Sequence, residues 1–217
     1  GAKYVTLDDK SMVMYTAKDL TMEQRIAKRV MDLALSLVGL IVASPIMLVC
    51  AIAIKAEDGG HVFYKQKRLT KYGRVFEVYK FRTMKEENSI HKSVTENDDR
   101  ITKVGKFIRK TSIDELPQFI NVLRGDMSIV GPRPHMLQHT EQYSKLINKY
   151  MVRHLIKPGI TGWAQVTGYR GETHSLSQME GRVRRDIWYL ENWSLLLDIR
   201  IIFMTVWNAL RQDENAY

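Results

Sequence analysis

LALSLVGLIVASPIMLVCAIAI, Leu33 to Ile54, runs without a single charge, and its reading decides the fold. A helix that crosses a bilayer needs about 20 apolar residues, so this run is long enough. A helix apolar on every face is foreign to the core of a small soluble domain. The run therefore reads as a membrane element, opened by Val30 and carrying Asp32 at its start. Ser44-Pro45 falls near its middle, where proline removes one ladder hydrogen bond and crowds the preceding turn. Each half is then about ten residues, or roughly 15 Å, which matches one leaflet. Lys28-Arg29 precede the run and Lys55 follows it. Positive charge favours the cytoplasmic side, so both flanks are expected there. A bent, re-entrant helix satisfies proline and charge together; a kinked spanning helix satisfies one of them.

Outward from that element the chain divides into a leader (residues 1–22), the membrane helix (23–58) and a domain (59–217). The leader is strand-like or irregular, has no core of its own and resembles no signal peptide. It is expected to be the end of a preceding region. "HVFYKQKR" and "RVFEVYKF", separated by Lys71-Tyr72-Gly73, read as a hairpin. Glu86 to Asp99 is polar and expected to be loop. Helices are expected over Ile101 to Arg109, Glu115 to Leu123, Gln138 to His154 and Leu176 to Glu191. Between Leu195 and Leu210 apolar residues recur at helical spacing, interrupted by Asp198 and Arg200. This stretch lies either on a membrane interface, as the tryptophans around it suit, or as an ordinary amphipathic helix on the core. Both element types in irregular order indicate an α+β domain, mostly helical.

Composition narrows the partners. There are 33 Lys+Arg against 24 Asp+Glu, a net charge of +9. That excess favours nucleic acid, anionic lipid or phosphorylated substrates. The single Cys50 excludes an intrachain disulfide and reads as a buried thiol.

Four stretches can carry chemistry. From Lys65 to Lys85 the hairpin holds Lys65, Lys67, Arg68, Lys71, Arg74, Lys80, Arg82 and Lys85 against one acid, Glu77. Most of these read as a solvated or lipid-facing surface. Lys80 and Arg82 share one strand face by alternation, a pair able to grip a phosphate. In "TSIDELPQF", Ser112 with Glu115 fits a capping box, and Asp114 fits an N-cap with Pro117 in the first turn. The same geometry also serves catalysis: a helix N-terminus stabilises an ionised Asp114 as nucleophile, while Glu115, pointing elsewhere, holds a cation. "GPRP" mounts Arg133 between Pro132 and Pro134, stiff enough to clamp phosphate with little loss of freedom. "KPGITGWAQVTGYRGET" carries Gly159, Gly162, Gly168 and Gly171 but is no Walker loop or dinucleotide fingerprint. His135 and His139 are four apart, with no glutamate-based zinc motif around them.

"YKFRTM", "GKFIRKTSIDELPQFINVLRGDMSIVGPRP", "KPGITGWAQV" and "NWSLLLDIRII", in this order over Arg25 to Leu210, resemble the bacterial sugar transferase family, the monotopic phosphoglycosyl transferases. "GPRPH" with the long glycine loop is most similar to the undecaprenyl-phosphate glucose phosphotransferase branch. The resemblance implies a re-entrant helix broken at Ser44-Pro45, held in a bacterial inner membrane with the active site on the cytoplasmic face. It implies that Asp114 attacks the β-phosphate of a UDP-sugar, releasing UMP, and that undecaprenyl phosphate then takes the sugar phosphate. This would open the membrane stage of exopolysaccharide or other glycoconjugate synthesis. Mg²⁺ is the implied cofactor, with Glu115 its ligand. Lys80, Arg109, Arg133 and Asp186 align with functional positions of the family, and Arg170 falls in a loop that varies between branches. Nucleic acid is not an expected partner, and the oligomeric state is left open, a homodimer included. Two other readings stand beside this one: direct attack by the lipid phosphate with Asp114 as a cap, and a basic peripheral membrane adaptor without catalysis.

Overall fold

The computed structural model describes residues 2–7, 10–15, 20–85, 98–171 and 175–211. The leader forms an antiparallel hairpin of β1 (Ala2–Leu7) and β2 (Lys10–Tyr15). Then comes α1 (Met22–Asp58), a helix of 37 residues. Thr21 and Gln24 start it with a reciprocal capping box, and Gly59 at φ 73° ends it. The backbone stays helical across Ser44-Pro45, with Ser44 Oγ donating to Ile41 O at 2.8 Å.

A helix of this length measures about 55 Å, and the domain touches it almost throughout. Lys28, Asp32, Ser36, Ala43, Cys50 and Ile54 are buried at helical spacing, a single stripe along one side. Midway, Gly39 lets the Phe119 ring come so close that a Cβ there would sit 2.9 Å from it. The rest of the surface is apolar and bare, with Val42 71% and Val49 66% exposed.

The domain adds β3 (Phe63–Leu69) and β4 (Val75–Phe81), the expected hairpin, antiparallel from Phe63↔Phe81 to Leu69↔Val75. Next are α2 (Lys103–Lys110), a 3-10 turn at Ile113–Glu115, α3 (Gln118–Arg124) and β5 (Ser128–Val130). Then α4 (Leu137–Leu146), a 3-10 stretch Tyr150–Leu155, β6 (Gly159–Thr161), α5 (Trp163–Val166), α6 (Leu176–Glu191) and α7 (Leu195–Leu210) complete it. β5 and β6 pair in parallel, and Gly131 and Gly159 meet so closely that a Cβ on Gly159 would lie 2.1 Å from Gly131 N. That contact pins the "GPRP" turn against the glycine loop. The architecture is mostly helical with small two-stranded sheets, as expected of an α+β chain. The main core gathers Phe76, Val78, Val122, Met127, Val130, Tyr189 and Ile201.

Several local expectations are corrected. The helix expected over Glu115 to Leu123 is two pieces, because Ser112 turns through φ 55° and Pro117 stands directly before α3. The helix expected over Gln138 to His154 stops at Leu146, where Ile147 is extended and Lys149 takes φ 64°. α7 packs Ile201 into the main core, with Leu197, Ile202 and Met204 against it, and leaves Leu196 at 75% and Leu210 at 77% exposed. The helix thus rests on the core as an amphipathic helix does and also keeps a bare apolar face, so both expectations for this stretch stand. The loop expected over Glu86 to Asp99 lies, through residue 97, outside the described residues.

Candidate active site

The site grows from the sharp turn between α2 and α3. Neither capping role anticipated there is filled: Ser112 makes no side-chain cap, and the residue before α3 is Pro117 and not Asp114. The reason is the left-handed backbone at Ser112, which aims its Oγ at Arg170 Nη2, a 3.0 Å donor, instead of at a helix N-terminus. Two acids freed from structural work now stand beside cations.

Glu115 is held twice. Arg133 grips it with both guanidinium nitrogens, Nη1 to Oε2 at 3.1 Å and Nη2 to Oε1 at 2.7 Å, and Lys80 Nζ reaches Oε1 at 2.8 Å. Burial alone would push the Glu115 carboxyl up, but Arg133 and Lys80 overcome it and hold the carboxyl well below the usual range. Glu115 is thus fixed as an anion. Asp114 is held loosely by comparison, with Lys80 Nζ at 3.6 Å. Burial pushes its carboxyl above 3.8 against the pull of Lys80, and Arg133 and Arg109 add to that pull. A carboxylate with few ties is the better nucleophile of the two.

The cations outnumber the acids. Arg109 sits in the last turn of α2, and Arg170 reaches in from the glycine loop. Arg68 on β3, which sequence reading left in an undivided basic run, lies near enough to Arg133 and Glu115 to feel both, and burial lowers it to about 10. With Lys80, Arg133, Arg109, Arg170 and Arg68 around two carboxylates, the positive surplus suits a polyanion such as a diphosphate.

Arg82 does not join Lys80. The strand ends at Phe81, and the Arg82 guanidinium clasps Asp58 at the end of α1 and donates to the carbonyls of His61 and Met84. It ties the anchor to the hairpin. Lys28 and Arg29, expected as cytoplasmic flanking charges, are likewise internal ties. Lys28 Nζ meets Asp198 Oδ2 at 2.7 Å, and Arg29 donates to the carbonyls of Val122 and Leu123, the open end of α3.

Asp186 stands one step behind the site. Buried, it pairs with Arg153 at 2.7 Å, and Arg153 Nη2 donates to Arg133 O at 2.8 Å. Arg153 also meets His135 Nδ1, which faces Tyr150 Oη at 2.7 Å, while Arg182 Nη1 lies 3.4 Å from Nε2. Burial, then the field of Arg153 and Arg182, keeps His135 neutral. Sequence reading missed Arg153 and its neighbours; "YMVRHL" has no spacing that distinguishes a buried arginine from a surface one.

Among the described residues no third His, Cys, Asp or Glu joins Asp114 and Glu115. A hard cation such as Mg²⁺ is often held by one or two carboxylates and completed by substrate phosphates and water. The dyad fits that mode and no other.

The bacterial sugar transferase family matches residues 23–212. The chain is 51% identical over 187 residues to the UDP-glucose:undecaprenyl-phosphate glucose-1-phosphate transferase of Escherichia coli K12, covering 85% of this chain and 40% of that protein. It is 43% identical over 192 residues to the transferase of the same name from Caulobacter vibrioides, covering 88% and 72%. A UDP-N-acetylgalactosamine-undecaprenyl-phosphate N-acetylgalactosaminephosphotransferase of Aeromonas hydrophila is 43% identical over 182 residues, 82% of this chain and 42% of the other. The chain thus spans about two fifths of the first of these and nearly three quarters of the second. From the match over residues 23–212, and from relatives this similar along most of its length, the chain belongs to the bacterial sugar transferase family.

Proposed function

We propose that this chain transfers a sugar 1-phosphate, glucose 1-phosphate first among the candidates, from a UDP-sugar to undecaprenyl phosphate through a phosphosugar–Asp114 intermediate. The observation that carries the reading is the inequality of the dyad: Glu115 is clamped by Arg133 and Lys80, and Asp114 beside it is not. In the first step Asp114 Oδ bonds to the β-phosphorus. The bond from that phosphorus to the oxygen bridging the α-phosphate breaks, and UMP leaves with the electron pair. In the second step an oxygen of undecaprenyl phosphate attacks the same phosphorus and Asp114 departs as carboxylate. Lys80, Arg133 and Arg170 face the charge that builds on the phosphoryl oxygens, and such preorganised cations are worth most where water is scarce. Mg²⁺, bound by the dyad together with the diphosphate, would supply further charge neutralisation. The relatives named for UDP-glucose support glucose, and the N-acetylgalactosamine relative keeps the sugar a matter for assay.

The same reading sets the chain at the cytoplasmic face of the inner membrane, with α1 re-entrant. Both ends of α1 are rooted in one domain: Lys28 to Asp198 at one, and Glu57, accepting from Lys103 N at 2.7 Å, at the other. A domain that holds a helix by both ends supports entry and exit on one side, although α1 runs unbroken through Ser44-Pro45 and re-entry would need it to bend there without the expected break. The bare flank of α1 with the outward face of α7 supplies apolar surface for lipid. The capping role that the non-covalent route gave Asp114 has no counterpart in the structure. The test is to incubate the protein with UDP-glucose labelled in the sugar and Mg²⁺ but no lipid acceptor. Labelled protein and UMP that both vanish in Asp114→Asn are the expected result. UMP release requiring undecaprenyl phosphate from the start, with no labelled protein, would overturn the covalent route.

A further inference from the structure

A cavity of about 140 Å³ opens beside the Asp114 turn, lined by Glu115, Arg170, Phe119, Val166 and Asn208 among others. Cavities near this size take one six-membered ring in other proteins. Gln165 also lines it, buried to more than nine tenths. Its Nε2 donates to Ile160 O at 3.2 Å, which fixes how the amide faces, since the reverse orientation would set two oxygens against each other. Its Oε1 is almost wholly covered and accepts no hydrogen bond from any described residue, so a group in the cavity meets it once the Gln165 side chain turns slightly. A buried acceptor left empty is costly, and folds keep one where something fills it.

We propose that the cavity receives a neutral ring of the nucleotide-sugar donor and that Gln165 Oε1 accepts a hydrogen bond from an N–H or O–H on that ring. The inference rests on the phosphotransfer reading above. Chemistry selects the donor over the acceptor: a polyprenyl chain has no N–H or O–H to offer, and it would leave Oε1 unfilled. A sugar offers hydroxyls and a uracil offers its imide N–H, each on a ring with a flat or apolar side for Phe119 and Val166. Arg170, the one cation of the lining, stands where the attached phosphates must lie.

Gln165→Met keeps length and removes the acceptor. The expected result is a KM for UDP-glucose raised about three- to tenfold, the worth of one neutral hydrogen bond, with the KM for undecaprenyl phosphate unchanged. Inhibition by UMP distinguishes the two rings. Weakened by the same factor, it places uracil in the cavity; unchanged, it places the sugar there. Wild-type protein supplies a check that needs no variant: N3-methyl-UDP-glucose, or one of a set of deoxyglucose donors, should lose that factor. An unchanged KM for UDP-glucose in Gln165→Met, full retention by every analogue, or an effect confined to undecaprenyl phosphate overturns the proposal. Wild-type protein that releases no UMP at all defeats the phosphotransfer reading instead, so the two failures are separable.

Discussion

Two buried acid–base clusters hang from neighbouring stretches of one chain, β5 and the "GPRP" turn that follows it. At the root of α1, Lys28 is matched by Asp198, whose oxygens also accept from Tyr189 Oη at 2.6 Å and Trp193 Nε1 at 3.1 Å. Asp32 beside it accepts from Ser128 Oγ and Ile129 N, both at 2.9 Å. Each carboxylate there is filled and shielded. At the Asp114 turn the cations exceed the acids, one acid is gripped by two of them, and the other, among the described residues, has its ion pair with Lys80 at 3.6 Å. The difference teaches that closure marks the structural cluster and imbalance the chemical one, although residue types and burial are alike.

Substitutions can break that contrast. Asp114→Asn should lower sugar-phosphate transfer by about 10⁴-fold or more, as loss of a nucleophile does. The thermal midpoint should hold or rise, since burial disfavours the charge that is removed. A large fall in midpoint would move Asp114 into the structural class. Lys28→Met should do the converse, leaving Asp198 buried without its cation at a cost of about 3–5 kcal/mol. It would be read by thermal unfolding in detergent, with activity per folded molecule retained.

Acidification tests the buried histidines behind the site. Burial, then Arg153, lowers His154 to about 4. The unfolded chain therefore takes up a proton near 6.5 that the folded chain refuses. Stability is full above 6.5 and declines as pH falls toward about 4, by up to about 3 kcal/mol from this residue. His154→Gln should flatten that slope in melts from pH 7 to 4, and an unaltered slope would assign it elsewhere. The smallest effect belongs to Arg153, which touches no reacting group. Arg153→Lys should lower kcat about tenfold by loosening the mount of Arg133, with KM for UDP-glucose near its original value. A change in KM alone would mean that Arg153 binds substrate directly.

Legibility followed sequence distance. The Asp114-Glu115 pair and the Arg133 mount could be read because residue type, order and neighbouring prolines lie within a few positions. The bounds of α6 and α7 were readable for the same reason, each being one continuous helical pattern. Lys28 was visible as a flank, but its partner lies 170 residues away, and no local pattern joins them. Arg82 was placed beside Lys80 by alternation, which fails once the strand ends at Phe81 and Asp58 captures the guanidinium. The capping box at Ser112 failed because it presumes an ordinary backbone where the chain adopts a positive φ. Gln165 is one polar letter in a glycine-rich loop, and its empty acceptor exists only in three dimensions.

Phe119 has one more consequence. Its ring presses on α1 at Gly39 and also forms part of the hollow beside the dyad. Helix and hollow therefore share a wall one side chain thick. A shift of α1 at Gly39 must either displace that ring or be resisted by it, so helix and hollow are coupled by packing alone.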